Sequence, residues 1–363
     1  MTTDTNYPGV YIKELNSLAL SVSNSATAVP VFAVNEQNKH INEDTATRIN
    51  SWMDYLHLVE DKFAANDNLA ISLRAYFVNG GGYCYLVKTD SLLSIVPTLD
   101  DVTLLVAAGE NIENAVGTLC KEGKGLFAIF DGPNETALTI NDTEEDKKAK
   151  KAKKAYTPTQ FAAVYYPWLK ADWAETDIPP SAAMAGVYAS VDLSRGVWKA
   201  PANVALKGGL EPKFLVTDEL QGVYNSGLAI NMIRNFSNTG TTVWGARTLK
   251  DDDNWRYIPV RRLFNTVERD VKRAMSFAMF EPNNQPTWER VRAAISNYLH
   301  SLWQQGGLAG SKEEEAYFVQ IGKGITMTKE QIDQGKMIVK IGLAAVRPAE
   351  FIVLQFTQDV EQR

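Results

Sequence analysis

The residues best suited to chemistry in this chain are few and scattered. Its three histidines, His40, His57 and His300, fall into no HExxH, HxH or Cys/His spacing, so no metal site is expected. Cys84 and Cys120 have no neighbouring histidine in sequence that would activate a thiol, and Cys84 sits in an apolar run that wants a small hydrophobe. The nearest approach to a phosphate loop is Gly117-Thr118-Leu119-Cys120-Lys121-Glu122-Gly123-Lys124-Gly125. Its spacing is one residue too long, and glycine stands where magnesium needs Ser or Thr. It also follows a predicted helix instead of a strand. Asn79-Gly80-Gly81-Gly82 likewise ends a helix and starts a strand, the reverse of a dinucleotide turn, and is expected to be a helix C-cap. Asp251-Asp252-Asp253 cannot all face one cation without a dedicated loop, so a solvated turn is expected there. The eight Trp and fourteen Tyr lie within apolar runs and are not interleaved with Lys or Arg, which suits core packing more than base stacking. Catalytic, cofactor-binding and metal residues are all expected to be absent.

Composition narrows the classes further. A chain of 363 residues exceeds one typical domain, and its 45% apolar and 22% charged content is that of a globular protein with ample core. The net charge of -6 disfavours nucleic acid as a partner. Two cysteines suit free thiols made in a reducing cytoplasm. No apolar run nears the ~18 residues needed to span a bilayer. The start, MTTDTNYPGVYIKEL, lacks a basic region followed by an apolar one, so Sec export and membrane insertion are not expected.

Periodicity predicts an α/β arrangement around a buried sheet. Strands are expected at 29–34, 83–88, 104–108, 126–131 and 161–166, with helices at Ile49–Phe63, Leu69–Val78 and Ile112–Cys120. Residues 142–154, acids then alanine-spaced lysines, read as a solvated segment. Pro179–Gly209 reads as a Pro/Gly-rich stretch. Beyond Trp255 two amphipathic helices are expected, Val260–Met279 and Thr287–Gln305, the second with Thr287 as N-cap. Strand-like pieces follow at 316–321 and 337–344. Each end of the chain carries a strand candidate without an obvious partner in its own core: Val10, Tyr11, Ile12, Lys13, Glu14 and Leu15 at one end, and Phe351, Ile352, Val353, Leu354, Gln355 and Phe356 at the other. Strand edges left unpaired must find a partner.

These blocks, in this order, resemble the phage tail sheath family from end to end. The resemblance is carried by Tyr7-Pro8-Gly9-Val10-Tyr11-Ile12, by Trp52 to Tyr55, and by Phe77 to Gly81 followed by Cys84 to Val87. It continues through Tyr165-Tyr166-Pro167-Trp168 and Ala185 to Ala189. Arg195-Gly196-Val197-Trp198-Lys199-Ala200-Pro201-Ala202-Asn203 is its most specific block. Val243 to Leu249, Trp255 to Leu263, Phe280 to Asn283 and Arg347 to Ile352 complete it. Ala345 stands where the family pattern has a proline, and the large outer insertions of big phage sheaths are missing. The compact form is similar to sheaths of extracellular contractile injection particles and phage-tail bacteriocins.

The resemblance implies a contractile sheath subunit of mixed α/β (α+β) fold, not an enzyme, working without cofactors. It implies stacked hexameric rings of this chain around an inner tube, with baseplate and tail terminator proteins, and possible sister sheath proteins, as further partners. Terminal strands would join sheets in neighbouring subunits, by β-augmentation. The expected division is an N-terminal arm at 1–25, an outer domain at 26–254 inserted into an inner lattice-forming domain at 255–346, and a C-terminal arm at 347–363. Glu289, Arg290 and Arg292 are candidates for facing the tube. The particle would be a phage tail or a released injection device. A non-contractile tube or surface-lattice protein is the alternative.

Overall fold

The computed structural model describes residues 22, 24–60, 62–135, 137–139 and 156–351. Val10–Leu15, Ile352–Phe356 and the charged segment 142–154 lie outside them.

Six largely apolar runs become parallel strands: β1 (Pro30–Val34), β3 (Cys84–Lys88), β4 (Leu104–Val106), β5 (Phe127–Asp131), β6 (Ala162–Tyr166) and β10 (Ile230–Phe236). Burial on both faces explains the unbroken apolar character of β1, β4 and β6, since helices cover each side of a parallel sheet. Three further strands close the edges antiparallel: β2 (Thr47–Ile49), β8 (Val204–Ala205) and β11 (Gly240–Val243). The order is β2-β3-β1-β4-β5-β6-β10-β11-β8. One face packs α1 (Trp52–Leu58), α2 (Asn68–Val78) and α5 (Pro180–Arg195). The other packs α3 (Leu92–Ile95), α4 (Glu113–Leu119) and α6 (Asp218–Tyr224). A two-residue pairing of β7 (Leu169–Lys170) with β9 (Glu211–Pro212) lies beside this sheet.

Three expectations need correction. The helix expected over Ile49–Phe63 is only Trp52–Leu58, because Ser51 caps it by accepting from the Asp54 N–H. Ile49 instead pairs with Cys84 on the sheet edge. The stretch from Pro179, read as Pro/Gly-rich, opens with a helix of 16 residues. Pro180 sits at its first position, where no N–H is needed. Gly186 lies mid-helix for a packing reason: a Cβ there would come within 2.4 Å of the Tyr76 carbonyl oxygen. The glycine is what lets α5 pack closely on α2. Thr287 is not an N-cap. Asn284 takes that role, and Thr287 is buried one turn inside, its hydroxyl donating to Asn284 Oδ1 at 3.1 Å.

A third apolar cluster belongs to the C-terminal part. It is built on α7 (Ile258–Met275) and α8 (Gln285–Gln304), with the short α9 (Glu313–Ala316) and α10 (Lys329–Asp333) and the hairpin β12 (Tyr317–Gln320) and β13 (Lys340–Leu343). Val197 and Trp198 reach into it from the loop after α5. Helix α7 ties the clusters together, since its Ile258 lies in the sheet's core and its Leu263 and Val267 lie in the third.

Candidate assembly interface

The hairpin sheet has two strands, and no other strand among the described residues pairs with it. Tyr317 stands opposite Leu343 and Val319 opposite Ile341. The Ala344 N–H donates to the Ala316 carbonyl at 2.8 Å, just before the first registered pair. Antiparallel pairs alternate, so Tyr317/Leu343 and Val319/Ile341 are the pairs whose backbone groups point away from each other. Their side chains face the third cluster and hold the hairpin down. Phe318 points the other way, half-exposed, and lies across Gly342, where a Cβ would meet its ring. The outer side of β13 is partly covered at its end, where Ala309 donates to the Ala344 carbonyl at 2.7 Å. On the outer edge of β12 the Tyr317 N–H is taken up by the Glu313 carbonyl, which leaves the backbone groups of Val319 and the Tyr317 carbonyl facing outward.

Charged side chains hold the described chain near both of its ends. Thr27, near the N-terminal end, gives its hydroxyl to Asp192 at 2.6 Å, and its carbonyl accepts from Arg262 at 3.1 Å. Arg262 and Asp192 form a buried two-pronged pair at 2.5 and 2.9 Å, joining α7 to α5. Ser25 adds hydrogen bonds with Asp270 and Arg269, and Asp270 also accepts from Tyr298 on α8 at 2.8 Å. At the other end Arg247 holds Glu350 at 2.6 and 3.0 Å, and Asn225 and Tyr257 donate to the same carboxylate at 2.9 and 3.1 Å. Burial pushes the Glu350 carboxyl up, but the hydrogen bonds from Arg247 and Asn225 outweigh it and hold it below its ordinary range. Phe351, next in the chain and 73% exposed, points into solvent.

The other predicted residues fall as follows. Glu289 accepts from Arg292 at 2.7 Å and from Gln285 at 2.6 Å, and Arg292 also donates to the Ile321 carbonyl at 2.6 Å. Arg290, half-exposed, lies 3.7 Å from Glu281. All three charges thus have partners within the subunit, with Arg290 the most loosely held, its guanidinium also donating to the Thr287 hydroxyl at 3.5 Å. Cys84 and Cys120 are buried in clusters on opposite faces of the main sheet, and burial pushes both thiols far up. Gly123 N–H donates to the Glu268 carboxylate at 3.3 Å, so a carboxylate of the chain itself takes that donor. Asp251 pairs with Arg256 at 2.8 Å, and Asp252 accepts from the Trp255 N–H at 2.7 Å. Among the described residues no group of His, Cys, Asp and Glu is arranged to hold a metal ion. The usual ligand position of an open α/β sheet, past the C-terminal ends of its strands, is filled by the protein itself. There the Asp131 carboxylate caps α5, accepting from the Ser181 N–H and hydroxyl at 2.7 and 2.9 Å and from Gly109 N–H at 2.8 Å.

Comparison with known proteins agrees with this geometry. Two family models match in succession: the phage tail sheath protein central domain over residues 95–249, and the phage tail sheath C-terminal domain over residues 250–359. The sheath complex of PVC, an extracellular contractile injection system solved in its contracted state, is 81% identical. The match covers 100% of both chains with a TM-score of 0.91. The chain belongs to the phage tail sheath family. The helical sheath of the anti-feeding prophage, also in its contracted state, is 45% identical over 98% of this chain and 100% of that one, TM-score 0.78. More distant is a putative prophage major tail sheath protein of Pseudomonas aeruginosa strain UCBPP-PA14, 26% identical over 68% of this chain and 62% of its own length. The tail sheath protein of Enterobacteria phage T4 is 24% identical over 70% of this chain and 42% of its own. This sheath-family chain therefore spans less than two thirds of either curated relative.

Sequence reasoning missed the anchors. Arg247, Arg262 and Glu350 lie inside blocks that carried the resemblance, yet their roles were not legible there. The one available signal was charge set among apolar residues, as at Arg247 and Glu350. That hints at burial but cannot name the partner.

Proposed function

We propose that this chain is the subunit of a contractile sheath that polymerises around an inner tube and shortens to drive the tube through a target envelope. The observation that carries the reading is the end-to-end match to the PVC sheath in its contracted state. The open edge of β12 supplies a physical means of assembly. A strand from a neighbouring copy, residues 10–15 or 351–356, would lie along it, and backbone hydrogen bonds would join subunit to subunit without any cofactor. On this reading residues 255–346 form the inner, lattice-forming domain, residues 26–254 the outer one, and the two chain ends are arms. Partners are further copies of the chain in stacked six-membered rings, the tube, a baseplate and a terminator. Arg290 is the freest of the three candidate tube-facing charges. The chain is not an enzyme on this reading, because contraction relaxes a metastable lattice and needs no bound nucleotide. Among the described residues no helix is long and apolar enough to cross a membrane, which suits a component of a particle.

The test is removal of residues 1–15. The expected outcome is a subunit that melts as the full chain does but forms no striated cylinders by sedimentation and negative-stain microscopy. Cylinders from the truncated chain, or outright unfolding of it, would sink the mechanism.

A further inference from the structure

The two anchors lie where a lattice would load the subunit hardest. Thr27 sits three residues before β1, and Glu350 sits seven residues beyond the end of β13. Between Leu343 and Glu350 the chain leaves the third apolar cluster and crosses back to the α/β part, where Arg247 and Asn225 wait. Without that crossing, a pull on the chain end would act on β13 alone. A four-residue ladder pulled from its end opens one hydrogen bond at a time. A bidentate charged pair with two further donors resists differently, because its bonds are loaded together and none can yield alone. The N-terminal anchor has the same logic. Thr27 is held on a pair whose side chains are 3% and 4% exposed, and the Arg262 guanidinium is seated 4.6 Å over the Tyr188 ring.

We propose that these guanidinium–carboxylate pairs, Arg262–Asp192 and Arg247–Glu350, are strain-relief anchors: they take the pull on the terminal arms before it reaches β1 or the β12–β13 hairpin. The inference rests on the sheath reading above and adds the positioning residues that reading lacks. Glu350 and Thr27 touch no neighbour in this role. They fix the points from which the arms depart, so that an arm reaches its neighbour from a defined place and cannot drag its own sheet apart.

The test compares Glu350→Ala, Arg247→Ala, the exchange Arg247→Glu with Glu350→Arg, and Thr27→Val, which spares the buried ion pair. For each, subunit melting is measured beside the concentration at which cylinders form, and beside hydrogen exchange of β13 in cylinders and in dispersed protein. The expected result for Glu350→Ala and Arg247→Ala is near-normal melting and about a tenfold rise in the required concentration, the loss of roughly one charged hydrogen-bonding contact. Their β13 amides should exchange faster in cylinders only, and the exchange variant should recover part of both properties, since it restores the ion pair but leaves Asn225 and Tyr257 without their acceptor. Thr27→Val should also raise the required concentration, without altering exchange at β13. Unchanged assembly with unchanged exchange overturns the proposal. So does a subunit that unfolds, or faster exchange in dispersed protein as well, since either would make the pair ordinary folding contacts. If wild-type protein forms no cylinders under the same conditions, the sheath reading itself fails, and this one with it.

Discussion

Replacing Val319 with proline asks whether the outer edge of β12 is the receiving surface. In the register found, Val319 faces Ile341 in a pair whose backbone groups point outward. A proline there removes one outward donor and leaves the hydrogen bonds of the hairpin itself in place. The Tyr317 N–H already donates to the Glu313 carbonyl, so Tyr317 and Val319 together offer about three outward backbone groups. At about 0.5–1.5 kcal/mol net each, an added strand gains about 1.5–4.5 kcal/mol. Losing one donor, with the ring pressing against the incoming strand, should remove about 1–3 kcal/mol. That corresponds to roughly a 5- to 150-fold higher concentration for cylinder formation. The subunit should still melt cooperatively, losing only part of the packing of a half-buried side chain. Phe318→Pro is the contrasting variant: its N–H points inward in the same register, so it should break the hairpin and lower the melting temperature directly. The assay is sedimentation across a concentration series, paired with thermal melting of dispersed protein. If Val319→Pro assembles at the wild-type concentration, or if both prolines behave alike, the edge assignment is wrong.

Two further outcomes follow from the fold. Gly186→Ala should lower the melting temperature although alanine is the better helix former: the gain of about 1 kcal/mol is outweighed by about 1–3 kcal/mol of overpacking against the Tyr76 carbonyl. A rise in melting temperature would refute the close-approach argument. Burial raises the Asp131 carboxyl to about 6, against the pull of its three donors. The folded state therefore holds that proton more tightly than the unfolded chain, so the stabilisation is complete below pH ~4 and is lost as pH rises through about 6. Wild type should lose stability relative to Asp131→Asn across that window in thermal melts, and a pH-independent gap would contradict it.

What the sequence disclosed, and what it hid, follows from the range of the forces involved. Unbroken apolar runs such as Leu104–Val106 and Ala162–Tyr166 marked buried parallel strands, because burial on both faces leaves a local signature. Helix α2 was legible from its period and from the Asn79-Gly80 stop. Helix α5 was hidden because Pro179, Pro180 and Gly186 are ordinarily breakers. Here one proline starts the helix and the glycine serves a close approach to Tyr76, on an element about a hundred residues away. The N-cap at Asn284 was missed for a nearer reason: Thr287 is itself a residue type that caps helices, and only the hydrogen bond from the Thr287 N–H to Asn284 decides it. The anchors were the least legible of all. Thr27 meets Arg262, and Arg247 meets Glu350, across separations that no local pattern records.

The junction between the α/β part and the helical part bears on how such a subunit would move. Arg261 and Arg262 are consecutive on α7, yet each is buried in a different setting. The Arg261 guanidinium lies 4.3 Å over the Trp255 ring and 4.9 Å over Phe161, and donates to Glu268 at 2.8 Å. Arg262 is locked to Asp192 on α5. Phe161 and Asp192 belong to the α/β part, so one helical turn is stitched to it at two points facing different ways. Sliding the helix would strip Arg262 of Asp192, and leaving that buried charge uncompensated costs about 3–5 kcal/mol. Arg261 would keep Glu268, which rides on the same helix, but would lose its seat over Phe161. An apolar seam could slip gradually, because the packing given up at one place is partly restored at the next. The buried Arg262–Asp192 pair has no such intermediate position. If the lattice shortens, the change should therefore fall outside this junction, in the segments beyond Thr27 and Glu350, with the two parts of the subunit turning as one body.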